Sequence, residues 1–233
     1  MHRNILSYLN RFCDEIRDVG DVIRIVDSST SRKNMVIALR NFINFLEEIG
    51  AIAPEFANKL RKPLKVVRSN VDAFIPSDKD VINAYKKFDK EKYRIVFKIL
   101  LYSGIRITET MQFINGFDRS RLMINGKIAK YPLFADRQSK NAYFVYLPAK
   151  FAKELKKTKV TLSGCKNYFS RRKLPPKYLR KWQYNFLILN GVPESVADFI
   201  QGRASITVGS MHYLAKVKQA DEFYAKVVDK FPI

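Results

Sequence analysis

Several basic residues and one tyrosine in this sequence could act together on a phosphodiester. Cations fixed around one phosphate favour the extra negative charge of a five-coordinate transition state, and a phenol oxygen can attack the phosphorus. Such a set predicts cleavage of a phosphodiester without a metal ion, ATP or water. In chain order its members are Arg106, Lys140, Lys177, Arg180, Arg203 and Tyr213.

Each residue type suits one part of that chemistry. Arg106 and Arg180 are expected to hold the non-bridging oxygens, because a guanidinium stays charged and binds two oxygens at once. Lys140 is expected to give a proton to the leaving 5′-oxygen, since neighbouring cations make a lysine a better acid. Tyr213 is expected to form a covalent phosphotyrosyl intermediate, which keeps the energy of the broken bond for rejoining.

A plainer interpretation stays open for most of these residues. Arg106 could merely cap the end of its helix. In its catalytic role a buried arginine needs an anionic partner, and Glu109, about one turn later, is expected to support it. Lys177 cannot switch its charge near pH 7 as histidine does, so it could be a phosphate clamp instead of an acid–base group. Arg203 could bind a non-bridging oxygen or simply lie at the surface. Lys140 has basic neighbours that could replace it, namely Lys127, Lys130, Arg137 and Lys150.

The composition favours nucleic acid as the partner. Among 233 residues, Lys and Arg outnumber Asp and Glu by 43 to 22, while 47% are apolar, so the chain folds and also attracts phosphates. A generally basic proteome is the plain alternative. Two histidines and two distant cysteines predict no metal site, and we expect no cofactor. No apolar run reaches the length of a membrane span, so we expect no membrane partner and a cytoplasmic, nucleoid-associated protein.

The elements that must position these residues are mostly helices. A helix over 91–103 is expected to end at Gly104. Asn125-Gly126 predicts a hairpin between strands at 121–124 and 127–131, and 142–147 predicts a third strand. The sequence therefore predicts a mainly α protein with a small three-stranded antiparallel β-sheet.

After Pro148 the helical pattern returns, with breaks predicted at Gly164, at Pro175-Pro176 and at 191–193. One of these helices carries Arg180 near the edge of its buried face. Four apolar residues of that helix are predicted to face the core: Leu179, Trp182, Phe186 and Leu189.

Three segments are expected along the chain: a helical DNA-clamping domain over 1–68, a basic linker over 69–75, and a catalytic domain with a C-terminal helix over 76–233. The two domains are expected to clamp a duplex from opposite sides. Basic residues near the linker and before the helix of Arg180 predict contacts with DNA, although a solvated charge run is the open alternative. They are Arg61, Lys62, Lys65, Arg68, Arg171, Arg172 and Lys173.

The order and spacing of these motifs resemble the tyrosine recombinases, which share their catalytic domain with type IB topoisomerases. The resemblance is strongest to SSV-type integrases of archaeal viruses and plasmids, and it covers about residues 76–220. Residues 104–109 resemble the G-x-R-x-x-E box, and 177–180 the H-x-x-R box with lysine in place of histidine. Arg203 stands where most relatives have histidine or tryptophan, and 211–213 resemble the nucleophile segment.

This resemblance implies a site-specific integrase that cleaves duplex attachment sites through a 3′-phosphotyrosyl link, with Lys140 as the catalytic lysine. It further implies strand exchange through a Holliday junction in a homo-tetramer on DNA, and we expect a monomer or weak dimer when free. The segment after Tyr213 would dock on a neighbouring subunit or pack on its own domain. Two alternatives are a nicking and religating enzyme like type IB topoisomerases, and an inactive DNA-binding module.

Overall fold

The structure is a computed structural model that describes residues 2–65, 72–133, 142–203 and 210–233, with side chains described from residue 6 and, in the last segment, from residue 215. The chain divides into two compact units, Met1–Asp72 and Ala73–Ile233. Each unit encloses its own cluster of buried apolar side chains.

The first unit consists of helices. They are α1 (His2–Phe12), α2 (Val19–Ser28), α3 (Arg32–Glu48) and α4 (Pro54–Arg61). Asp18 begins α2 by accepting a hydrogen bond from the backbone N–H of Asp21 at 2.9 Å, a cap that the sequence analysis did not single out. Val22, Met35 and Leu39 are fully buried and join α2 to α3.

The second unit combines helices with one small sheet, which confirms the predicted fold class. Its elements are α5 (Asp78–Lys86), α6 (Glu91–Ser103), α7 (Ile107–Asn115), β1 (Met123–Asn125), β2 (Ile128–Pro132), β3 (Phe144–Pro148), α8 (Ala149–Glu154), α9 (Leu162–Arg171), α10 (Pro176–Leu189), α11 (Glu194–Gln201) and α12 (Ser210–Val227). Short 3-10 turns occupy Arg119–Arg121 and Val228–Lys230.

The sheet is antiparallel throughout, in the order β1-β2-β3. The predicted hairpin forms, but Asn125 pairs with Ile128, so the two-residue loop is Gly126-Lys127 and not Asn125-Gly126. Gly126 takes a φ of +56°, which suits a glycine at the first position of a two-residue hairpin loop. The third strand begins two residues later than predicted and includes Pro148.

The C-terminal helix packs against its own domain, which is the second of the two alternatives left open by the sequence. Ala220, Tyr224 and Val227 of α12 are almost completely buried in the core of the second unit. Asp221 accepts hydrogen bonds from Lys130 of β2 at 2.5 Å and from Tyr146 of β3 at 3.1 Å. These contacts fix the helix that carries residue 213.

Two sequence predictions in this unit are wrong. Gly164 does not interrupt a helix but lies in the first turn of α9, where its N–H donates to the capping hydroxyl of Thr161 at 3.2 Å. Leu189 does not face the core. It is the last residue of α10 and its side chain is 85% exposed, whereas Leu179 and Trp182 of the same helix are buried as predicted.

Candidate active site

Arg106 stands at the beginning of a helix and not at the end of one. Gly104 ends α6 in the left-handed region with a φ of +60°, and only two residues separate it from α7, so Arg106 is the residue that precedes the first turn of α7. The helix dipole disfavours a cation at this position. The plain interpretation as a cap at a helix C-terminus therefore does not hold, and the guanidinium needs another source of stabilisation.

Glu109 supplies that stabilisation. Its buried carboxylate accepts one hydrogen bond from Nη1 of Arg106 at 2.7 Å and another from the backbone N–H of Arg106 at 2.6 Å. Nη2 of Arg106 donates to the carbonyl of Gly202 at 3.2 Å, which ties α7 to the end of α11. The side chain of Arg106 remains 35% exposed, so its position is fixed while part of it still faces outward.

Arg180 lies beside Arg106 on a different helix. Its Nη1 donates to the carbonyl of Gly104 at 2.7 Å, which joins α10 to the turn between α6 and α7. Burial, followed by the like charges of Arg106 and Arg203, lowers the pKa of Arg180 to about 10. Three guanidinium groups from separate parts of the sequence thus act on one another, and Arg180 still carries its charge at neutral pH.

Arg203 owes its position to the glycine before it. Gly202 ends α11 with a φ of +64°, and the N–H of Arg203 donates back to the carbonyl of Asp198 at 2.8 Å, as in the Schellman motif. The guanidinium then lies 4.3 Å from the ring centroid of Tyr184. Burial, with the nearby carboxylates of Asp198 and Glu194, raises the pKa of Tyr184 to about 12, so this phenol stays neutral.

Two glutamines that the sequence analysis missed lie beneath the arginines. Gln183 and Gln201 are completely buried. Nε2 of Gln201 donates to the carbonyl of Arg180 at 2.9 Å and to the side chain of Gln183, and Nε of Arg203 donates to Oε1 of Gln201 at 2.7 Å. Their spacing offered one signal, since Gln183 follows Arg180 by three residues and Gln201 precedes Arg203 by two.

The arrangement provides a site for an anion with more than one oxygen. Guanidinium groups from α10, from the start of α7 and from the end of α11 meet where Glu109 and Asp198 are the neighbouring acids. Donors held in place before the ligand arrives stabilise developing negative charge more effectively than donors that must first reorganise. The chemistry of this cluster therefore matches a phosphodiester.

The other predicted catalytic groups are Lys177, Lys140 and Tyr213. Lys177 is exposed in the first turn of α10, one turn before Arg180, and its Nζ lies 4.5 Å from the ring centroid of Tyr178. Lys140 lies outside the described residues. The backbone of Tyr213 belongs to α12, and its side chain is outside the described set.

Two rivals of Lys140 have partners elsewhere in the protein. Lys130 is largely buried and pairs with Asp221, and Lys127 pairs with Asp229. A lysine paired with a carboxylate of the protein is held away from a phosphate. Both lysines are therefore better explained as bonds between the sheet and the C-terminal segment.

The predicted DNA-contacting residues fall into two groups. Arg61 and Arg172 are taken up by protein contacts. Arg61 binds Asn44, Glu47 and Asn58, while Arg172 binds Asp89 and the carbonyl of Lys87 and lies 3.5 Å from the ring centroid of Tyr168. The side chains of Lys62, Lys65, Arg171 and Lys173 are exposed. Arg68 lies outside the described residues.

The described residues offer neither a cluster for a metal ion nor a membrane-spanning helix. They contain no group of three or more His, Cys, Asp or Glu side chains placed to hold a metal ion. In the same part of the chain, no helix has the length and apolar character needed to cross a membrane.

The family of the chain follows from residues 73–230, which match the family model described as archaeal phage integrase. The chain belongs to this family. It is a site-specific recombinase of the tyrosine recombinase class, an enzyme that transfers DNA strands, as the resemblance of its motifs predicted. No curated protein matches this integrase in sequence.

Two solved structures share the fold of the integrase at low sequence identity. A lambda integrase (75–356) dimer bound to a COC′ core site is 12% identical, with a TM-score of 0.63 over 88% of this chain and 87% of that one. The XerH site-specific recombinase bound to its difH substrate is 13% identical, with a TM-score of 0.54 over 94% of this chain and 77% of that one. The arrangement of helices around the three-stranded sheet is therefore that of the tyrosine recombinases.

Proposed function

We propose that this integrase cleaves and rejoins duplex DNA at specific attachment sites, with Tyr213 as the nucleophile and Arg106, Arg180 and Arg203 as the groups that bind the phosphate. The observation that carries the proposal is the convergence of the three arginines. Arg106 donates to the carbonyl of Gly202, the residue before Arg203, and Gln201 bonds both to the side chain of Arg203 and to the carbonyl of Arg180. Burial and, after it, the like charges of Arg106 and Arg203 disfavour the charged form of Arg180, and a bound phosphate would offset that cost.

The proposed reaction is an exchange of one ester for another. The phenol oxygen of Tyr213 bonds to phosphorus while the bond from phosphorus to the 5′-oxygen breaks, which leaves a 3′-phosphotyrosyl link and a free 5′-hydroxyl. The phenol proton is lost to solvent, and Lys140 gives a proton to the leaving oxygen. Attack by a 5′-hydroxyl reverses these steps, so neither a metal ion nor ATP is required.

Glu109 and Lys177 have supporting roles in this proposal. Glu109 holds the Arg106 guanidinium through the two hydrogen bonds described above, and it also lowers the net charge of the site. Lys177 carries a compact charge at the exposed start of α10, which suits a phosphate clamp on the flanking DNA. The acid–base alternative for Lys177 would require its ammonium to reach the leaving oxygen.

DNA binding is proposed to use the exposed part of the basic set. Lys62, Lys65, Arg171 and Lys173 offer side chains to solvent, and Arg68 joins them by its position in the sequence. Arg61 and Arg172 instead form ion pairs within the protein, with Glu47 and Asp89, and these pairs stabilise the segments that carry the exposed basic residues. The helical unit Met1–Asp72 is accordingly proposed as a second DNA-binding unit.

The proposed assembly follows from the reaction. Exchange of strands between two duplexes needs four cleavages, so four copies of the chain on DNA would act through a Holliday junction, with monomers or weak dimers when free. Integration and excision of a mobile element is the biological outcome we propose. The chain would then work in the cytoplasm of its host, at the nucleoid.

The test uses a pool of duplexes with a randomised core and a 5′-bridging phosphorothiolate at the scissile position. A thiol leaving group does not rejoin efficiently, so covalent adducts accumulate and can be isolated on a denaturing gel in the presence of EDTA. We expect adducts from the parent and from Tyr85→Phe, the matched control in α5, but none from Tyr213→Phe. Sequencing of the captured duplexes should converge on one site.

The same substrates test the role of Lys140. A thiolate can leave without being protonated, whereas an alkoxide leaving group needs a proton from an acid. Lys140→Ala should therefore lose cleavage of the ordinary phosphodiester by about 100-fold or more and keep cleavage of the phosphorothiolate. Equal losses on both substrates would exclude Lys140 as the acid. Adducts without sequence convergence would favour the topoisomerase-like alternative, and tight binding without adducts would favour an inactive module.

A further inference from the structure

The completely buried glutamine pair, Gln183 and Gln201, forms a hydrogen-bonded path from the core to the arginine cluster. Nε2 of Gln183 donates to the carbonyl of Tyr102 at the end of α6, at 3.1 Å. Oε1 of Gln183 accepts from Gln201, and Oε1 of Gln201 accepts from Nε of Arg203 at 2.7 Å. The pair therefore connects α6, α10 and α11 with one guanidinium of the site.

The orientation of the Gln201 amide is determined by its neighbours. Its NH2 group faces the carbonyl of Arg180 and the Oε1 of Gln183, and its oxygen faces the Nε–H of Arg203. A flipped amide would bring oxygen against oxygen and N–H against N–H at once. Arg203 consequently meets an acceptor whose position and direction are both fixed.

The fold makes room for this pair through Gly104. A Cβ atom on Gly104 would lie 2.3 Å from Oε1 of Gln183 and 2.4 Å from Nε2 of Gln201. The carbonyl of the same glycine accepts the hydrogen bond from Arg180. The glutamines thus fill the space directly under the turn that leads to Arg106.

Burying two amide side chains has an unfavourable free energy of desolvation, because each of their polar atoms loses water and must find a hydrogen-bond partner in the core. Leucine would fill a similar volume without that requirement. We propose that Gln201, held by Gln183, is a positioning residue that directs Arg203 toward the scissile phosphate. The inference rests on the proposed role of Arg203 in phosphate binding.

This arrangement divides the donors of Arg203. Its Nε is used by Gln201 and its ring-facing side lies over Tyr184. Among the described residues, the terminal NH2 groups of Arg203 have no hydrogen-bond partner, which leaves them available for non-bridging oxygens. Without Gln201 the guanidinium of Arg203 would keep its charge, but its terminal NH2 groups would no longer be held in one orientation toward the phosphate.

The decisive variant replaces both glutamines, Gln183→Leu with Gln201→Leu. The carbonyl of Tyr102 would keep its bond from the Tyr224 hydroxyl at 3.1 Å, and the carbonyl of Arg180 would keep its helical bond, so Arg203 is the group that loses its partner. We expect a melting temperature and a duplex Kd close to the parent values. Single-turnover cleavage should fall by about 10- to 100-fold, as expected for a misplaced catalytic group.

Controls separate positioning from stability. Gln201→Met keeps the side-chain length without a strong acceptor and should lose cleavage in the same way if the double variant does not fold. Asn115→Leu removes an amide that bonds both to the N–H and to the carbonyl of Val160, and it should lower stability without lowering cleavage per folded molecule. Parent-level cleavage by the folded double variant would overturn the inference.

A second comparison distinguishes failure of this inference from failure of the proposed function. Arg203→Ala should itself reduce cleavage, and Gln201→Met should add no further loss in that background, because the glutamine acts through Arg203. An equal loss in both backgrounds would overturn the positioning role and leave the function of Arg203 intact. Parent-level cleavage by Arg203→Ala would remove Arg203 from the proposed mechanism, and the inference with it.

Discussion

The positions of the charged residues in the candidate site lower the stability of the folded protein. Arg180 is partly buried, and its charge is opposed by Arg106 and Arg203. Hydrogen bonds to the carbonyls of Gly104 and Gly202 and the carboxylate of Glu109 offset part of that cost. A bound phosphate would offset the rest, so stability and activity should respond in opposite directions when a charge is removed.

The exchange Arg180→Gln measures that opposition. The pKa of Arg180 in the folded protein, about 10, is below its ordinary value of 12.5, so between these values the unfolded chain binds more protons and the stability contributed by this group rises with pH. Relative to Arg180→Gln, the parent should gain on the order of 1 kcal/mol in free energy of unfolding between pH 8 and pH 11. Urea unfolding at both pH values measures this difference. Cleavage by Arg180→Gln at pH 8 should be about 10²- to 10³-fold slower than cleavage by the parent. If the free energy of unfolding of the parent and of Arg180→Gln changed by the same amount between pH 8 and pH 11, the lowered pKa of Arg180 would be contradicted.

The residue types of the site could be predicted from the sequence, but their supports could not. Arg106, Arg180 and Arg203 were recognisable because their chemistry and order suffice to suggest a phosphate site. For Gln183 and Gln201 the only signal is their spacing from Arg180 and Arg203, and it is weak because a glutamine on a helix is usually a solvated residue. Their role depends on three elements meeting, which local spacing does not reveal.

At the scale of elements, the turn between α6 and α7 decides the geometry of the site. Gly104→Ala should lower the free energy of unfolding by about 3 kcal/mol, because it combines a left-handed backbone with contacts at 2.3 and 2.4 Å to the two glutamines. Gly191→Ala is the matched control, since Gly191 has a φ of +84° but open space around its Cβ, and should cost about 1 kcal/mol. Urea unfolding of both variants tests the difference. Equal losses would mean that the space under Gly104 is unimportant.

The elements themselves were predicted where local chemistry was decisive. Gly104 ended α6 as expected, and the turn signal at 125–126 gave the hairpin to within one residue. The break predicted at Gly164 is wrong because a capping threonine before it compensates for a glycine in the first turn of the helix. The burial predicted for Leu189 is wrong because the apolar face of α10 ends before the helix does.

At the scale of the whole molecule, the positive charge is divided unevenly. Residues 73–233 carry 31 Lys and Arg against 13 Asp and Glu, whereas residues 1–72 carry 12 against 9. Since nonspecific affinity for DNA depends on neutralised phosphates, the second unit should supply most of the salt-sensitive binding. The first unit would then contribute through a few exposed residues such as Lys62 and Lys65 and not through its overall charge.

Separate expression of the two units tests this division. Each has its own buried core, so each should unfold cooperatively by circular dichroism. Fluorescence anisotropy with a labelled random-sequence duplex, repeated over a range of salt concentrations, gives the slope of log Kd against log salt for each. Residues 73–233 should retain more than about half of the slope of the full chain, and residues 1–72 should bind far more weakly, because each phosphate contact contributes about 0.9 to the slope. A steeper slope for residues 1–72 than for residues 73–233 would show that local charge placement outweighs net charge, and would make the helical unit the principal DNA-binding surface of the integrase.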